Sequence, residues 1–109
     1  MTHKGTATFI AQRTSAVILL PLAIWFLVGA IANAGSSYDE MRAWLGTPLN
    51  AALMGALVVT GAFHMRIGVN EIIDDYAPAG ARGMWKLLNL LVAVFAAALA
   101  VYSVINIAA

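Results

Sequence analysis

Three long apolar stretches dominate this chain of 109 residues and limit what it can fold into. They lie at about 15–34, 50–76 and 86–107, and each reaches the length of about 20 residues that a helix needs to cross a hydrocarbon core. Charged residues make up only 10% of the sequence, far below the share in soluble domains. We therefore predict an all-α membrane protein with three transmembrane helices and a single domain over residues 1–109.

The composition also excludes several classes of site. The sequence contains no cysteine, which rules out disulfides, thiolate metal sites, iron–sulfur clusters and covalently attached c-type haem on this chain. Its net charge is +1 without a basic run, so nucleic acid is not a predicted partner. A redox cofactor held by this chain alone must be ligated through histidine or methionine.

The first apolar stretch, 15–34, has two interpretations. Basic residues precede it and an A-x-A pattern at 32–34 ends it, as in a cleaved signal peptide. It is longer than the roughly 7–15 apolar residues of a signal peptide, so we interpret it as helix I, preceded by a short polar tail. Pro21 predicts a kink, with a hydroxyl such as that of Ser15 bonding to the freed carbonyls.

The second stretch carries a stripe of polar and small residues. At about 100° per residue, Gly68, Glu71 and Asp75 fall within about 40° of His64 around a helix. Gly61 lies one turn before the imidazole, close to the same stripe. Because glycine has no side chain, we expect room above and below the histidine for a flat group to lie against the helix backbone.

His64 is the ionisable residue that this pattern places near the membrane midplane, where such residues are costly and typically functional. Three interpretations stay open on the pattern alone. The ring can be a neutral hydrogen-bonding group between helices, an axial haem ligand, or part of a proton relay. If an iron takes two histidines, this chain supplies one, and the other must come from a different polypeptide.

The end of the second stretch is acidic and aromatic. Glu71, Asp74 and Asp75 crowd a helix C-terminus, where the helix dipole disfavours negative charge. Either this helix end is simply solvated, or cations such as Arg13, Arg82 or a partner's arginine pair with it. Tyr76 fits an interfacial aromatic belt, and it also fits a phenol that donates a hydrogen bond to a quinone carbonyl. The roles of Glu71 and Asp74, and that of Arg66 off the stripe, stay open.

The distribution of basic residues predicts the orientation in the membrane. Lys4 and Arg13 precede the first span, and Arg82 and Lys86 follow the second. Arg42 is the basic residue of the first loop. The positive-inside rule therefore places the N-terminus in the cytoplasm and Tyr76 at the cytoplasmic surface.

Taken together, the chain resembles the hydrophobic membrane anchors, of the D type, of succinate dehydrogenase, respiratory complex II. The resemblance rests on His64 and Gly68, on Asp75-Tyr76 eleven and twelve residues after the histidine, and on Arg13 before the first of three spans. It implies that His64 is an axial ligand of a haem b and that Tyr76, with Asp75, contacts ubiquinone. It also implies that Arg13 lies near the haem propionates or the quinone pocket.

The resemblance further implies a set of partners. A second membrane anchor, of the C type, would share the haem, and an iron–sulfur subunit and a flavoprotein subunit would bind on the cytoplasmic face of a bacterial inner membrane. A fumarate reductase anchor fits the same residues. A structural or assembly membrane protein and an ion-conducting relay of His64, Glu71 and Asp75 are the alternatives from other functional classes.

Overall fold

The computed structural model describes residues 2–109, with side chains described from residue 5 onward. Its helices are α1 (Thr2–Ala32), α2 (Tyr38–Gly46), α3 (Pro48–Tyr76) and α4 (Arg82–Ala108), with a short 3-10 turn at Ala79–Ala81. Residues 2–109 contain no strand, and α1, α3 and α4 are each long and apolar enough to cross a membrane. The prediction of an all-α protein with three spanning helices is therefore confirmed.

Helix α1 begins much earlier than the predicted start near residue 15. Residues 2–14, predicted as a polar tail, form its first turns. No proline interrupts this part, and Thr8 and Gln12 lie on the same side of the helix as Ser15, at helical spacing. Two polar residues of the predicted tail thus belong to one stripe of a helix.

The connection after α1 also differs from the prediction, because it contains helix α2. A capping box starts this helix: Ser37 Oγ accepts a hydrogen bond from the Glu40 N–H at 3.1 Å, and Glu40 Oε1 accepts one from the Ser37 N–H at 3.1 Å. The Ser37 N–H, and after it the Ser37 hydroxyl, hold the pKa of the exposed Glu40 carboxyl below its ordinary value, since hydrogen bonds to the carboxylate favour the ionised form. The polar residues therefore start a helix at this point.

Helix α3 lies between α1 and α4. It packs against both, whereas no Cα of α1 comes within 8 Å of one in α4 over the described residues. The hydrophobic residues buried in the described part of the chain are small or medium in size, namely Ala51, Ala93 and Val104. A helix bundle in lipid requires no larger core, because lipid tails are as apolar as the side chains. The arrangement leaves the sides of α3 between its contacts with α1 and α4 uncovered by the described residues.

The contact between α3 and α4 contains a buried amide. Asn89 of α4 is 8% exposed, and its Nδ2 donates to the Arg66 carbonyl and to Asn70 Oδ1, both at 2.9 Å. Such bonds between helices are available in lipid because no water competes for the groups. They set the register of α4 against the half of α3 that carries the functional stripe.

Helices α1 and α2 are joined by aromatic stacking. The rings of Trp25 and Trp44 are parallel within 15°, with centroids 5.7 Å apart. Gly29 makes this approach possible, because a Cβ there would lie 2.5 Å from Cζ2 and 2.7 Å from Cη2 of Trp44. The stack therefore depends on the absence of a side chain at that position.

We expect Gly29→Ala to destabilise the protein by about 1–3 kcal/mol, the usual cost of overpacking, because the methyl group displaces Trp44 from Trp25. The measurement is the thermal unfolding of the assembled complex, with tryptophan fluorescence as the local probe. Gly83→Ala is the matched control, since a Cβ on that exposed helical glycine meets no atom within 4 Å. Equal unfolding curves for the two variants would contradict the packing described for Trp44.

Candidate functional site

His64 lies near the middle of α3, on the face that packs against α1. Its Nδ1 is 2.7 Å from Oγ of Ser15, a side chain that is only 4% exposed. The same hydroxyl donates to the Gln12 carbonyl at 3.0 Å. No other hydrogen bond from the described residues reaches the imidazole, so Nε2 has no partner among them.

The two glycines of the predicted stripe face α1. A Cβ at Gly61 would lie 3.9 Å from Cδ2 of Leu19, and one at Gly68 would lie 3.8 Å from Nε2 of Gln12. These are ordinary van der Waals distances. Gly61, His64 and Gly68 therefore lie opposite a matching stripe of α1 that has Ser15 at its centre.

A largely apolar groove of about 700 Å³ opens between α1 and α3 beside this contact. Ser15 and Phe63, the bonded partner and the chain neighbour of His64, are part of its wall, together with Ile10, Ile18 and Val59. Its volume lies within the range of small-molecule sites, about 300–1,000 Å³. A large apolar ligand can approach the histidine region from this side.

Arg13 is not brought to His64. It is two residues from Ser15, about 200° around α1, and so lies on the opposite face of that helix. Its guanidinium is 5.1 Å from the ring centroid of Phe9, in a cation–π arrangement. Within this chain the two residues therefore face different surroundings, and Arg13 is exposed to whatever covers the outer side of α1.

Asp75 and Tyr76 form the exposed end of α3, about 18 Å from His64 along the helix axis. Tyr76 is 83% exposed. Neither side chain forms a hydrogen bond or an ion pair with the described part of the chain. Both polar groups are thus available to a ligand or to another subunit at the membrane surface.

The acidic cluster before this end is partly paired. Asp74 Oδ1 lies 2.6 Å from Nζ of Lys86 at the start of α4. Arg82, an expected partner of the cluster, instead donates from Nε to the Ala77 carbonyl at 3.1 Å, just beyond the end of α3. The ion pair is exposed and contributes little stability, about 0–1 kcal/mol.

Arg66 and Glu71 lie in a polar cavity of about 690 Å³ whose wall comes from α1, α3 and α4. Arg66 Nε is buried without a hydrogen-bond partner among the described residues, and Asp74 and Lys86 share the same wall. The charged residues of this wall balance, two basic against two acidic. The cavity therefore has no net preference for an anion or a cation.

The residues that can bind a metal are few. In the described part of the chain, no three His, Asp or Glu side chains come together as a metal site. His64 can donate one nitrogen to an iron already held by a planar macrocycle, which needs only axial ligands from protein. A single imidazole of this kind fits one half of a haem site shared with another polypeptide.

The hydrogen-bond partner of His64 was not predicted from the sequence. Ser15 is expected to bond to carbonyls freed by Pro21, but its hydroxyl bonds to His64 and to the Gln12 carbonyl. A signal was present, since Thr8, Gln12 and Ser15 recur at helical spacing in a mostly apolar segment, which is typical of a buried interhelical face. Asn89 in α4 is likewise a polar residue in a mostly apolar segment.

The chain is similar to a known family of membrane proteins. Residues 1–104 match the family of succinate dehydrogenase/fumarate reductase transmembrane subunits. The chain is 30% identical over 101 residues to the succinate dehydrogenase hydrophobic membrane anchor subunit of Paracoccus denitrificans, which covers 93% of this chain and 78% of the relative. It is 28% identical over 89 residues to the protein of the same name from Rickettsia bellii, covering 82% of this chain and 67% of that one.

No solved structure matches the chain. The family match spans all three membrane-spanning helices, and both relatives named above are bacterial membrane anchor subunits. On these grounds the chain belongs to the family of succinate dehydrogenase/fumarate reductase transmembrane subunits, as a membrane anchor of succinate dehydrogenase.

Proposed function

We propose that this chain is the redox-active anchor of a succinate:quinone oxidoreductase, supplying one axial ligand to a haem b and part of a ubiquinone site. The observation that carries this proposal is the state of His64, which is held at Nδ1 by a buried hydroxyl while Nε2 is left free. A histidine that serves only as packing between helices has no need of a second nitrogen without a partner among the described residues.

The haem part of the proposal assigns roles to residues of α1 and α3. His64 offers Nε2 to the iron, and Gly61 and Gly68 let α1 pack close beside the ring. Haem b bound at this position supplies one-electron redox chemistry. Because this chain offers one histidine at that depth, the second axial ligand belongs to a partner anchor of the C type that covers the open flank of α3.

The quinone part of the proposal concerns the exposed end of α3. Tyr76 donates a hydrogen bond from its hydroxyl to a quinone carbonyl, and the adjacent Asp75 carboxylate holds a cationic or protonated partner. Reduction of a quinone to a quinol takes up two electrons and two protons. A phenol that is 83% exposed at the membrane surface lies where protons can be supplied from water.

The orientation of the chain in the membrane leads to the partners and to the role of Arg13. The positive-inside rule places the N-terminus and the α3–α4 turn on the cytoplasmic side of a bacterial inner membrane. An iron–sulfur subunit and, beyond it, a flavoprotein subunit that oxidises succinate then bind near Tyr76. Arg13, exposed on the outer side of α1, is the residue of this chain that we assign to propionate or quinone-pocket contact across the boundary between the two anchors.

One alternative has a specific observation behind it. The bond between Ser15 and His64 is also what a purely structural histidine would form between two helices. In that case the chain only anchors its partners, and neither the b-type haem spectrum of the complex nor its reduction of quinone depends on the imidazole of His64. Reduction of fumarate is the same chemistry in reverse, and the relatives named as succinate dehydrogenase subunits favour the oxidative direction.

The direct test is the purified complex with all its subunits. We expect a reduced-minus-oxidised difference spectrum with b-type bands, and one haem per copy of this chain by pyridine haemochrome assay. The same preparation should reduce ubiquinone with electrons from succinate. A complete complex that reduces quinone but contains no b-type haem would contradict the haem assignment and leave the anchor role in place.

A further inference from the structure

One arrangement of hydrogens satisfies both contacts of the Ser15 hydroxyl at once, that with the Gln12 carbonyl and that with His64. A serine hydroxyl has one hydrogen, and a backbone carbonyl can only accept. Ser15 Oγ is 3.0 Å from the Gln12 carbonyl and donates its hydrogen there. Both contacts are hydrogen bonds only when the oxygen that faces His64 Nδ1 at 2.7 Å is the acceptor and Nδ1 carries the hydrogen.

A proton on Nδ1 determines the chemistry of the other ring nitrogen. In neutral imidazole one nitrogen carries the hydrogen and the other carries the lone pair, so Nε2 is the basic, ligating atom. A histidine that ligates a metal typically donates its second N–H to an acceptor of the protein, and this bond fixes the tautomer and the ring orientation. The acceptor is usually a carboxylate, a backbone carbonyl or water.

We propose that Ser15 is a positioning residue for His64: its hydroxyl holds the imidazole in the Nδ1–H tautomer, with Nε2 aimed at the haem iron. This inference rests on the proposed function. Ser15 belongs to α1 and His64 to α3, so the ligand is oriented only when the two helices are packed together. The hydrogen-bonded series runs from the Gln12 carbonyl through the hydroxyl to the ring.

The kind of acceptor determines how the ring behaves as a ligand. A hydroxyl oxygen that already donates to a carbonyl is a neutral acceptor, weaker than a carboxylate. The imidazole therefore stays neutral and gains only modest basicity from the bond. Removal of the acceptor weakens electron donation by Nε2, which disfavours the ferric form more than the ferrous form and raises the midpoint potential.

The test uses the whole complex with substitutions at Ser15. Ser15→Ala removes the acceptor and leaves a small void. Ser15→Thr and Ser15→Val form an isosteric pair that differs in the hydroxyl alone. Thr14→Ala is the matched control, because this neighbouring hydroxyl lies in the wall of the same groove but forms no bond to the ring. Recovery of all subunits in equal amounts establishes assembly for each variant.

Two readouts report on the ligand itself. Transfer of haem to excess apomyoglobin measures retention, and we expect Ser15→Ala and Ser15→Val to lose haem about 10- to 100-fold more readily, the usual effect of removing an outer partner of a metal ligand. Redox titration measures the midpoint potential, which should rise in both. A tenfold larger loss of affinity for the ferric form corresponds to about 59 mV. Ser15→Thr and Thr14→Ala should resemble the wild type in both readouts.

The outcomes separate this inference from the function on which it rests. Wild-type retention and potential in Ser15→Ala would overturn the positioning role and leave haem ligation by His64 intact. Equal haem loss in Ser15→Thr and Ser15→Val would also overturn it, since packing and not the hydroxyl would then be responsible. A wild-type complex whose haem does not depend on His64 would instead contradict the proposed function.

Discussion

Replacing His64 with alanine is expected to remove the b-type haem signal from the assembled complex. The substitution deletes the one nitrogen that this chain offers at the middle of α3, and a single ligand from the partner anchor holds haem much less tightly. We expect haem content to fall by at least about tenfold, the lower end of the effect seen even for outer partners of metal ligands. The measurement is the reduced-minus-oxidised spectrum, normalised to the flavin content of the same preparation.

A second substitution at this position separates ligation from packing. His64→Gln keeps an amide N–H that can donate to Ser15 and so preserves the contact between α1 and α3, but it supplies no nitrogen lone pair to iron. We expect this variant to assemble normally and to lack the haem signal. Met65→Leu is the matched control, because Met65 is the exposed chain neighbour of His64 and methionine can also ligate haem iron. A normal spectrum in His64→Gln would show that the histidine only packs.

Replacing Tyr76 with phenylalanine is expected to slow succinate-driven quinone reduction on the order of 10- to 100-fold, which corresponds to losing one hydrogen bond to a charged or charge-developing oxygen. Succinate oxidation with a soluble dye as acceptor should stay unchanged, since that reaction takes place in another polypeptide. The phenol is 83% exposed and has no partner in the described chain, so the fold does not depend on its hydroxyl.

The control for Tyr76 is a phenol of similar exposure elsewhere. Tyr102, on the last turns of α4, is 66% exposed, and Tyr102→Phe should leave both reactions at wild-type rates. An equal loss of dye reduction and quinone reduction in Tyr76→Phe would indicate that the soluble subunits no longer bind the anchor correctly. A wild-type rate of quinone reduction would remove Tyr76 from the quinone site.

The spanning helices could be predicted because the membrane imposes them. A stretch of about 20 apolar residues has one low-energy solution in lipid, a helix whose backbone groups bond internally. Length and hydropathy therefore sufficed for the class of fold, and the spacing of His64, Asp75 and Tyr76 sufficed for the family. The start of α1 and the existence of α2 were not predicted, because short polar segments form helices only when capping or packing supports them.

The candidate site, like the fold, could be predicted only in part from the sequence. The periodicity of α3 placed Gly61, His64 and Gly68 on one face, since that relation lies within a single helix. The residues of α1 that contact this face depend on how α1 is rotated and shifted along α3. Apolar side chains of similar size give little information about that rotation or that shift. The partner of the histidine was therefore found only in the packed structure.

Hydropathy and residue spacing were enough to show three long apolar helices, an imidazole near the middle of the second and a phenol at its end. These relations are distances along one helix, at about 1.5 Å per residue, and they need no knowledge of its neighbours. The contacts of Ser15 with His64, of Trp44 with Gly29 and of Lys86 with Asp74 emerged from the folded chain instead. Each joins two different helices, and the fit of whole helix faces, not local chain geometry, selects it.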